Sequence, residues 1–350
     1  MTVNDIPLFD SFGVHCIVDG QFGSTGKGAL SAWLANCALD AGIGNIFGGC
    51  IYSGGPNSGH TFYIDNEKIV LKQLPTFAVY LYLRGVNIPV YLSAGAIIDR
   101  DILKAEANRY PGLRILVHPN AAIVTDEDKQ AELTGSIAEV AGTRSGTGAA
   151  LARKIMRDPS AIARNSLGSI AQNVTLQERY LFSPIMAPFV MEVSQGYSLG
   201  INSPFYPKVT SRECTVMQGL ADARIAAPLL RRTSMAVRTF PIRVGNVDGH
   251  SSGDWYPDQT EISWETLGRE PELTTVTQRV RRIATFSMMQ FVDACVDNMP
   301  SLVFVSHMDY LDEKGQLQFK ENMEHMRDIL GMKYTLVYGF GPKVEDIQCL

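Results

Sequence analysis

Short runs of apolar or β-branched residues recur along the chain and alternate with segments of helical periodicity. The apolar runs cover residues 14–18, 113–117, 189–193, 302–305 and 335–338. Several are apolar at nearly every position, which is typical of strands covered on both faces of a parallel sheet. Helical patterns cover residues 28–41, 101–110, 148–157, 285–297 and 320–330. The alternation predicts an α/β fold around a mostly parallel central sheet.

Two stretches break this alternation. Residues 49–59 and 246–272 are rich in glycine and polar side chains, and both are predicted to be irregular. The chain has no internal repeat and no Pro/Ser-rich linker. A length of 350 residues is enough to bury a large core without disulfides. We therefore predict a single large domain over residues 1–350.

Composition excludes several classes of protein. The formal net charge is −5, so no basic excess indicates a nucleic-acid polymer or an anionic membrane as partner. The six cysteines are scattered without a CxxC pair, which disfavours a disulfide framework or a cysteine zinc site and favours a reducing cytoplasm. No apolar run approaches 18 residues, and the N-terminal residues lack the pattern of a signal peptide. Secretion and membrane spanning are therefore not expected.

The strongest local signal is a glycine-rich loop, VDGQFGSTGKGAL at 18–30, which follows the first predicted strand and opens a helix. Glycines let the backbone turn its N–H groups toward an anion, and the helix N-terminus and Lys27 add positive charge. The loop resembles a phosphate loop but not a Walker A box, since Gly28 stands where a magnesium-binding Ser or Thr is required. The alternative is a strand–helix turn with a solvated lysine.

Four further segments carry candidate chemistry. They are GGPNSGHT at 54–61, GTRSGTG at 142–148, VTQRVRR at 276–282 and SHMD at 306–309. The third glycine segment precedes a predicted helix that carries Arg153, Lys154 and Arg157. Each segment is weak evidence when taken alone, because a lone histidine or an arginine run is usually solvated. Together with the first loop they indicate an enzyme that handles several anionic groups at once.

In this order, the segments resemble the adenylosuccinate synthetase family. Its QWGDEGKG loop corresponds to QFGSTGKG at 21–28, its GGxNAGHT to residues 54–61, and its TVTGRxRR to TVTQRVRR at 275–282. Shorter matches are LKQLP at 71–75, QG at 195–196, YPKVTS at 206–211 and GFGP at 339–342, and SHMD replaces the family's guanine-reading TKxD. The resemblance spans residues 14–342. It implies the family's single, P-loop-like α/β domain and a homodimer.

The resemblance also implies a reaction in two steps. A nucleoside triphosphate phosphorylates the 6-oxygen of a purine monophosphate, and the amine of L-aspartate then displaces that phosphate. Lys27, with the N–H groups of Gly26 and Gly28, is expected to hold the transferred phosphoryl group. His60 is expected to stabilise charge or donate a proton as the 6-oxygen becomes a leaving group.

The resemblance assigns the remaining site residues by position. Besides Lys27 and His60, the catalytic set contains Ser24. The expected phosphate and triphosphate contacts are Gly23, Thr25, Gly26, Gly28, Thr61, Arg281, Asp309 and Gly341. The expected purine monophosphate contacts are Ser24, Asn57, Ser145, Arg157, Gln195 and Thr210. The expected aspartate contacts are Thr275, Val276, Thr277, Arg279 and Arg281, because paired guanidinium groups suit a dicarboxylate. Mg²⁺ is expected to bridge phosphates, with Ser24 and the carbonyl of Gly59 as ligands.

One of these residues is expected to act across the dimer. Arg157 matches an arginine that reaches the nucleotide phosphate of the neighbouring subunit, and Arg153 is the alternative.

Ser24 is the most informative departure from the family pattern. Ordinary members have an aspartate there, which takes the N1 proton of inosine monophosphate and binds Mg²⁺. An inactive enzyme is one interpretation, but Lys27, His60 and both arginines remain. A changed substrate is the other, because a serine leaves room for the 2-amino group of guanine and can accept its hydrogen bond. This combination resembles the bacteriophage 2-aminoadenylosuccinate synthetases, which condense dGMP with L-aspartate to N6-succino-2-amino-2'-deoxyadenylate in the host cytoplasm.

A second departure concerns the phosphoryl donor. His307 replaces the family's guanine-reading lysine and Gly339 replaces a nearby serine, whereas Asp309 remains. An aspartate can accept hydrogen bonds from guanine or from the 6-amino group of adenine. The resemblance to the phage enzymes implies ATP or dATP.

Two other functions remain as alternatives. One is an ordinary GTP-dependent adenylosuccinate synthetase acting on IMP, against which Ser24 counts. The other is a P-loop-like kinase or nucleotide-binding regulator without aspartate chemistry, which has no need of the arginines at 279 and 281. The group that removes the N1 proton is open among Asp19, the bound aspartate, a water molecule and a tautomer of guanine.

Overall fold

A computed structural model describes residues 9–134, 140, 142–177, 185–247, 249–274 and 278–349. The strands are β1 (Gly13–Asp19), β2 (Gly49–Ser53), β3 (His60–Ile64), β4 (Glu67–Leu71), β5 (Val90–Leu92), β6 (Ile97–Ile98), β7 (Ile115–Val117), β8 (Ala122–Ile123), β9 (Val174–Leu176), β10 (Pro188–Val193), β11 (Leu230–Arg238), β12 (Ile242–Arg243), β13 (Glu261–Ile262), β14 (Arg282–Ala284), β15 (Leu302–Ser306), β16 (Thr335–Gly339) and β17 (Ile347–Cys349). The α-helices are α1 (Lys27–Asp40), α2 (Thr76–Leu83), α3 (Arg100–Arg109), α4 (Asp126–Ala131), α5 (Thr147–Ile155), α6 (Ala163–Ser166), α7 (Val216–Asp222), α8 (Met288–Asn298) and α9 (Glu313–Leu330).

Ten of these strands form one sheet, in the order β17-β16-β15-β11-β1-β10-β2-β5-β7-β9. Every neighbouring pair is parallel except β16 and β17. The predicted α/β fold around a mostly parallel sheet is therefore confirmed.

The core lies in two apolar layers, one on each face of the sheet. All seven residues of β1 are buried. Ile17 packs in the layer that contains Trp33 of α1 and Phe77 of α2. Cys16 and Val18 pack in the opposite layer, with side chains from α7, α8 and α9. Burial on both faces explains why the strand is apolar at nearly every position.

The parallel arrangement brings the carboxyl ends of the central strands to one edge of the sheet. β1, β10, β11, β15 and β2 are parallel neighbours or close neighbours in the sheet order. The segments that follow them in sequence therefore lie together. In open α/β sheets this edge is where ligands bind.

Most predicted elements are present, with some corrections. The prediction that residues 49–59 are irregular is wrong for Gly49–Ser53, which form β2 and are buried between β10 and β5. Glycine content was misleading there, because the run Cys50–Ile51–Tyr52 is apolar. β11 was not predicted, since its first half contains the polar run of residues 231–234. α9 begins seven residues earlier than predicted, at Glu313, where Asp312 caps its N-terminus. None of the described helices is both long and apolar enough to cross a membrane.

Candidate active site

The glycine loop lies at the carboxyl end of β1, between Asp19 and Lys27, the first residue of α1. Its backbone enters the left-handed region at Gly23, Ser24 and Gly26, with φ values of 91°, 56° and 82°. A Cβ atom at Gly28 would lie 2.2 Å from the carbonyl oxygen of Thr61. The first turn of α1 therefore rests against the backbone of β3, and the Ser or Thr of a Walker A box has no space here.

Asp19 orders this loop from within. Its Oδ1 accepts hydrogen bonds from the amides of Gln21 (2.9 Å) and Gly23 (3.2 Å). Its Oδ2 accepts one from the Thr25 hydroxyl (2.5 Å) and lies 3.7 Å from Lys27 Nζ. The Thr25 hydroxyl is thus used inside the protein. With both carboxylate oxygens occupied, Asp19 is poorly placed to act as a base toward a ligand.

Lys27 connects the loop to three of the predicted purine contacts. Its Nζ donates a hydrogen bond to the Gln195 carbonyl (2.5 Å), just after β10. The Gln195 side-chain amide donates to Asn57 Oδ1 (2.8 Å), and Asn57 Nδ2 donates to Thr210 Oγ1 (3.5 Å). A Cβ at Gly196 would lie 2.1 Å from the amide nitrogen of Gly23, so the two segments touch through their backbones. The structure thus brings Lys27, Asn57, Gln195 and Thr210 together.

His60 lies at the start of β3 and is buried. Burial, with a smaller effect of the Lys27 charge, lowers the pKa of His60 to about 3. The imidazole is therefore neutral at physiological pH, and it can act on a ligand through an N–H group rather than as a cation. Its Nε2 lies 3.5 Å from the hydroxyl of Tyr52, which donates a hydrogen bond to the carbonyl of Lys72 (3.0 Å).

Ser24 is held by two arginines from other parts of the chain. Its hydroxyl accepts a hydrogen bond from Arg281 Nη1 (2.8 Å), and its carbonyl accepts one from Arg238 Nη1 (3.3 Å). Arg281 is one of the residues predicted to contact aspartate and triphosphate. Its contact with Ser24 places the described part of the arginine-rich segment, residues 278–282, beside the phosphate loop. These residues are called the arginine segment below.

The arginine segment pairs with the residues that precede it, 272–274, through backbone hydrogen bonds. The Thr274 amide donates to the Arg279 carbonyl (2.8 Å), and the Arg281 amide donates to the Glu272 carbonyl (2.9 Å). Within the described residues, the Arg279 guanidinium has no hydrogen bond or ion pair, and the side chain is half-buried. It therefore keeps its donors for a ligand. The predicted aspartate contacts Thr275, Val276 and Thr277 lie outside the described residues.

Residues 306–309 (SHMD), predicted to contact the nucleobase of the phosphoryl donor and called here the donor-base segment, follow β15 and also touch the phosphate loop. Ser306 Oγ donates a hydrogen bond to the carbonyl of Thr25 (2.9 Å) and lies 2.7 Å from His307 Nδ1. Burial raises the pKa of Asp309, and its carboxylate lies 3.6 Å from Arg269 Nη1. A Cβ at Gly341, just after β16, would lie 2.4 Å from Asp346 Oδ2. Asp346 also raises the pKa of Asp309 electrostatically, so Gly341 and Asp309 share this neighbourhood.

The third glycine segment reaches the site only at its edge. A Cβ at Gly55 would lie 3.1 Å from Thr147 Cγ2, so the start of α5 contacts the second glycine segment. The amides of Gly146 and Gly148 donate to the Glu132 carboxylate (2.8 and 2.7 Å). The N-terminus of α5 is thus capped by the protein itself. Ser145 donates a hydrogen bond to the hydroxyl of Thr143 (2.8 Å).

Arg153 and Arg157 differ in what holds them. Arg153 forms a two-point ion pair with the buried carboxylate of Asp128, with both N–O distances at 2.7 Å. Arg157 follows the end of α5, is exposed, and has no hydrogen bond or ion pair within the described part of the chain. Within the described residues, Arg157 therefore forms no hydrogen bond or ion pair with the other predicted site residues. This placement favours Arg157 over Arg153 for a contact with a second subunit.

Mg²⁺ would find only sparse ligands on the chain. No group of three histidine, cysteine, aspartate or glutamate side chains converges as a metal site among the described residues. The hydroxyl of Ser24 and the carbonyl of Gly59 are neutral oxygen donors, and Ser24 also accepts a hydrogen bond from Arg281. These groups fit a Mg²⁺ ion that is held mainly by phosphate oxygens, as hard divalent cations prefer.

Three residues of this edge were not found from the sequence. Arg238 ends β11 and is fully buried, Glu272 pairs with it, and Tyr52 lies beside His60. An arginine directly after the apolar run 235–237 was the one signal for Arg238. Glu272 follows a long irregular segment, so no pattern marked it.

Known proteins resemble this chain over nearly its whole length. A family model described as adenylosuccinate synthetase matches residues 168–326. The N6-succino-2-amino-2'-deoxyadenylate synthase of Vibrio phage phiVC8 is 34% identical over 96% of this chain and 97% of its own. The structure of the cyanophage S-2L succinoaminodeoxyadenylate synthetase, bound to dGMP and to dATP as an energy donor, superposes with a TM-score of 0.85 at 32% identity, covering 97% and 96% of the two chains. Fully ligated adenylosuccinate synthetase from Plasmodium falciparum shares the fold, with a TM-score of 0.72 at 17% identity over 96% and 99% of the chains.

Proposed function

The chain belongs to the adenylosuccinate synthetase family, and we propose that it condenses dGMP with L-aspartate to N6-succino-2-amino-2'-deoxyadenylate, with ATP or dATP as phosphoryl donor. The observation that carries this proposal is Ser24. It occupies the loop position of the family's aspartate, and its hydroxyl is fixed by Arg281 at 2.8 Å. The similarity to phage synthases over nearly the whole chain supports the same substrate.

In the first step the γ-phosphoryl group passes from the triphosphate to the 6-oxygen of the purine. The P–O bond to the nucleoside diphosphate breaks, a bond to O6 forms, and N1 loses its proton. Lys27 and the loop amides are oriented before the ligands arrive, because Asp19 fixes the backbone around them. Preorganised donors of this kind are effective in phosphoryl transfer, which depends on positioning and electrostatics.

In the second step the aspartate amine attacks C6 and inorganic phosphate leaves with the 6-oxygen. Arg279, whose guanidinium has no hydrogen bond or ion pair among the described residues, is suited to hold a carboxylate of the incoming aspartate. His60 remains neutral and donates an N–H to the departing oxygens. Both carboxylate oxygens of Asp19 are engaged, so removal of the N1 proton falls to the substrate aspartate, a water molecule or a guanine tautomer.

Ser24 selects the purine in this proposal. A serine is shorter than the aspartate it replaces, so the 2-amino group of guanine fits beside N1. The serine oxygen can accept a hydrogen bond from that amino group while Arg281 donates to the same oxygen.

The remaining assignments are part of the same proposal. The Ser24 hydroxyl and the Gly59 carbonyl would help to hold a Mg²⁺ ion, which would supply charge neutralisation at the transferred phosphoryl group. Asp309 contacts the adenine of the donor. The enzyme acts as a homodimer in the host cytoplasm, with Arg157 reaching the dGMP phosphate of the neighbouring subunit.

The test is an assay of the purified protein with dGMP or IMP, L-aspartate, and ATP, dATP or GTP. Phosphate release is measured with and without aspartate, and products are identified by mass. We expect aspartate-dependent turnover of dGMP, and much less of IMP. Equal or better turnover of IMP would assign the ordinary synthetase activity instead, and phosphate transfer without aspartate would indicate a kinase.

A further inference from the structure

Glu272 is a carboxylate on which several parts of the site converge. Its Oε1 accepts hydrogen bonds from Arg238 Nη2 (2.6 Å) and from the hydroxyl of Tyr310 (3.2 Å). Its Oε2 accepts one from Arg238 Nη1 (3.3 Å), and His307 Nε2 lies 3.9 Å from Oε1. His307 belongs to the donor-base segment, and Tyr310 directly follows it. A single side chain therefore contacts that segment and the buried arginine of β11.

Arg238 carries this contact to the phosphate loop. Its side chain is fully buried, and Nη1 donates to the carbonyl of Ser24 (3.3 Å). Its backbone pairs with the side chain of Gln21 through two hydrogen bonds, of 2.9 and 3.1 Å. Among the described residues, Glu272 is the only acidic partner of this buried guanidinium. Neutralising Glu272 would leave a buried charge without compensation, so Arg238 would have to move.

Glu272 also pairs with the arginine segment through its backbone. Its carbonyl accepts the amide of Arg281 (2.9 Å), and the Arg281 side chain holds the Ser24 hydroxyl. Burial opposes ionisation of Glu272, but Arg238, His307 and Arg281 outweigh it and lower its pKa to about 2. The carboxylate is therefore charged at physiological pH.

We propose that Glu272 is a positioning residue that couples the aspartate-binding arm to the phosphate loop and to the donor-base segment. The inference rests on the proposed function only in naming the ligands of these segments. Because one carboxylate fixes both segments, its loss weakens the binding of aspartate and of the triphosphate together. The dGMP contacts Asn57, Gln195 and Thr210 form a separate hydrogen-bonded group. Ser24 is the predicted dGMP contact that Arg238 holds, so the KM for dGMP changes less than the KM values for aspartate and triphosphate.

The chain offers a matched control. Glu261 forms a two-point ion pair with Arg282, with N–O distances of 2.8 and 2.5 Å, and accepts a hydrogen bond from Trp255. This pair lies in the same small sheet as the arginine segment, since β13 pairs with β14. Neither residue contacts Ser24 or Tyr310. Glu261→Gln therefore shows what the loss of an arginine–glutamate pair does in general, apart from the specific loss of the Glu272–Arg238 pair.

The experiment compares steady-state kinetics of the wild type, Glu272→Gln, Glu272→Asp, Tyr310→Phe and Glu261→Gln. For Glu272→Gln we expect the KM values for aspartate and triphosphate each to rise by about tenfold or more, as for loss of a charge-assisted hydrogen bond. The KM for dGMP should rise less than either of these two. Glu272→Asp should recover part of the loss, Tyr310→Phe should raise only the triphosphate KM, and Glu261→Gln should resemble the wild type.

Three results would overturn the proposal. One is a change in only one of the two KM values in Glu272→Gln. Another is equal effects of Glu261→Gln. The third is a fall in melting temperature with all KM values unchanged. If Glu272→Gln does not fold, Tyr310→Phe and Glu272→Asp decide, because unchanged triphosphate KM values in both contradict the coupling. The wild-type preference between dGMP and IMP tests the proposed function separately, and the variants can be compared with whichever nucleotide is used.

Discussion

Two sets of charged groups in the site are held in opposite ways. The inner group, Asp19, Lys27 and His60, is buried, and each member has a partner inside the protein. The outer arginines, Arg279 and Arg157, have guanidinium groups without hydrogen bonds or ion pairs among the described residues. The inner group lies where the central strands end. The outer arginines lie on a loop arm and beyond the end of a helix.

This difference corresponds to two tasks. Groups that stabilise a phosphoryl group in transfer are most effective when they are fixed beforehand in a site that excludes water. Groups that capture a free carboxylate or phosphate need unused donors, since donors already paired in the protein would have to break those bonds first. We therefore expect substitutions in the inner group to lower kcat and substitutions of the outer arginines to raise KM.

The largest expected effect is that of Lys27→Ala. Removal of one donor at the transferred phosphoryl should reduce kcat by about 10²–10³-fold while the protein remains folded. Lys154→Ala is a matched control, because Lys154 also donates a hydrogen bond to a backbone carbonyl, that of Ala94, at 2.5 Å. Steady-state rates and circular dichroism of both variants are the measurements. Near-normal turnover of Lys27→Ala would show that the phosphate loop is wrongly assigned.

Next in size is the effect of Arg279→Leu on aspartate. Loss of a charge-assisted contact should raise the KM for aspartate by about 10–100-fold, with a smaller change in kcat. Arg279→Lys keeps the charge but loses the planar fork, so it should fall between the leucine variant and the wild type. An aspartate KM that is unchanged in Arg279→Leu would remove this arginine from the aspartate site.

Ser24→Asp tests whether position 24, in the loop between Asp19 and Lys27, selects the purine. The backbone at Ser24 has a φ of 56°, a conformation that aspartate tolerates. The added carboxylate should crowd the guanine 2-amino group, and misplacement by about 1 Å can cost on the order of 10²-fold in rate. We expect the ratio of kcat/KM for dGMP to that for IMP to fall by about tenfold or more. A ratio that stays the same or rises would move purine selection away from position 24.

Two buried histidines, His60 of the inner group and His15 of β1, predict how stability depends on pH. Burial lowers the pKa of His60 to about 3 and that of His15 to about 4. Between these values and the ordinary pKa of about 6.5, the unfolded chain binds more protons than the folded one. The free energy of unfolding should be highest above pH 6.5, where these histidines are neutral in both states. It should fall below that pH by up to about 1.4 kcal/mol per pH unit for each histidine.

Urea unfolding at pH 7.5 and pH 5 measures this dependence. His60→Asn should reduce the slope relative to the wild type. Equal stability of the wild type at both pH values would contradict the assignment of His60 as a neutral, buried group.

The smallest effect is expected for Arg157→Ala. Its guanidinium is exposed, so its loss should raise the KM for dGMP by about 3–10-fold without lowering the melting temperature. Arg153→Ala should lower the melting temperature and leave the KM for dGMP unchanged, because it breaks the ion pair with Asp128. Mixing Arg157→Ala with an inactive Lys27→Ala variant tests whether the arginine acts across subunits. An unchanged KM in Arg157→Ala would exclude it from the monophosphate site.

The sequence by itself determined the fold class and was enough to predict a phosphate loop. Continuous apolar runs such as that of β1 are needed when a strand is covered on both faces, so periodicity was enough to predict the parallel sheet. The glycines and Lys27 mark the phosphate loop because local backbone geometry dictates them. Ser24 could be compared with the family pattern for the same reason. β2 and β11 were missed, since glycine in one and arginine in the other obscured the apolar pattern.

Only the tertiary structure decided which side chains are committed inside the protein and which remain available. Asp19 and Thr25 look like ligand contacts in the sequence, but each completes the hydrogen bonding of the other. Arg153 and Arg157 lie four residues apart in the sequence. They differ because Asp128 lies where it pairs with Arg153. Glu272 and Arg238 are 34 residues apart in the chain. Their pairing depends on where β11 ends relative to the arginine segment, and such long-range contacts leave no periodic trace in the sequence.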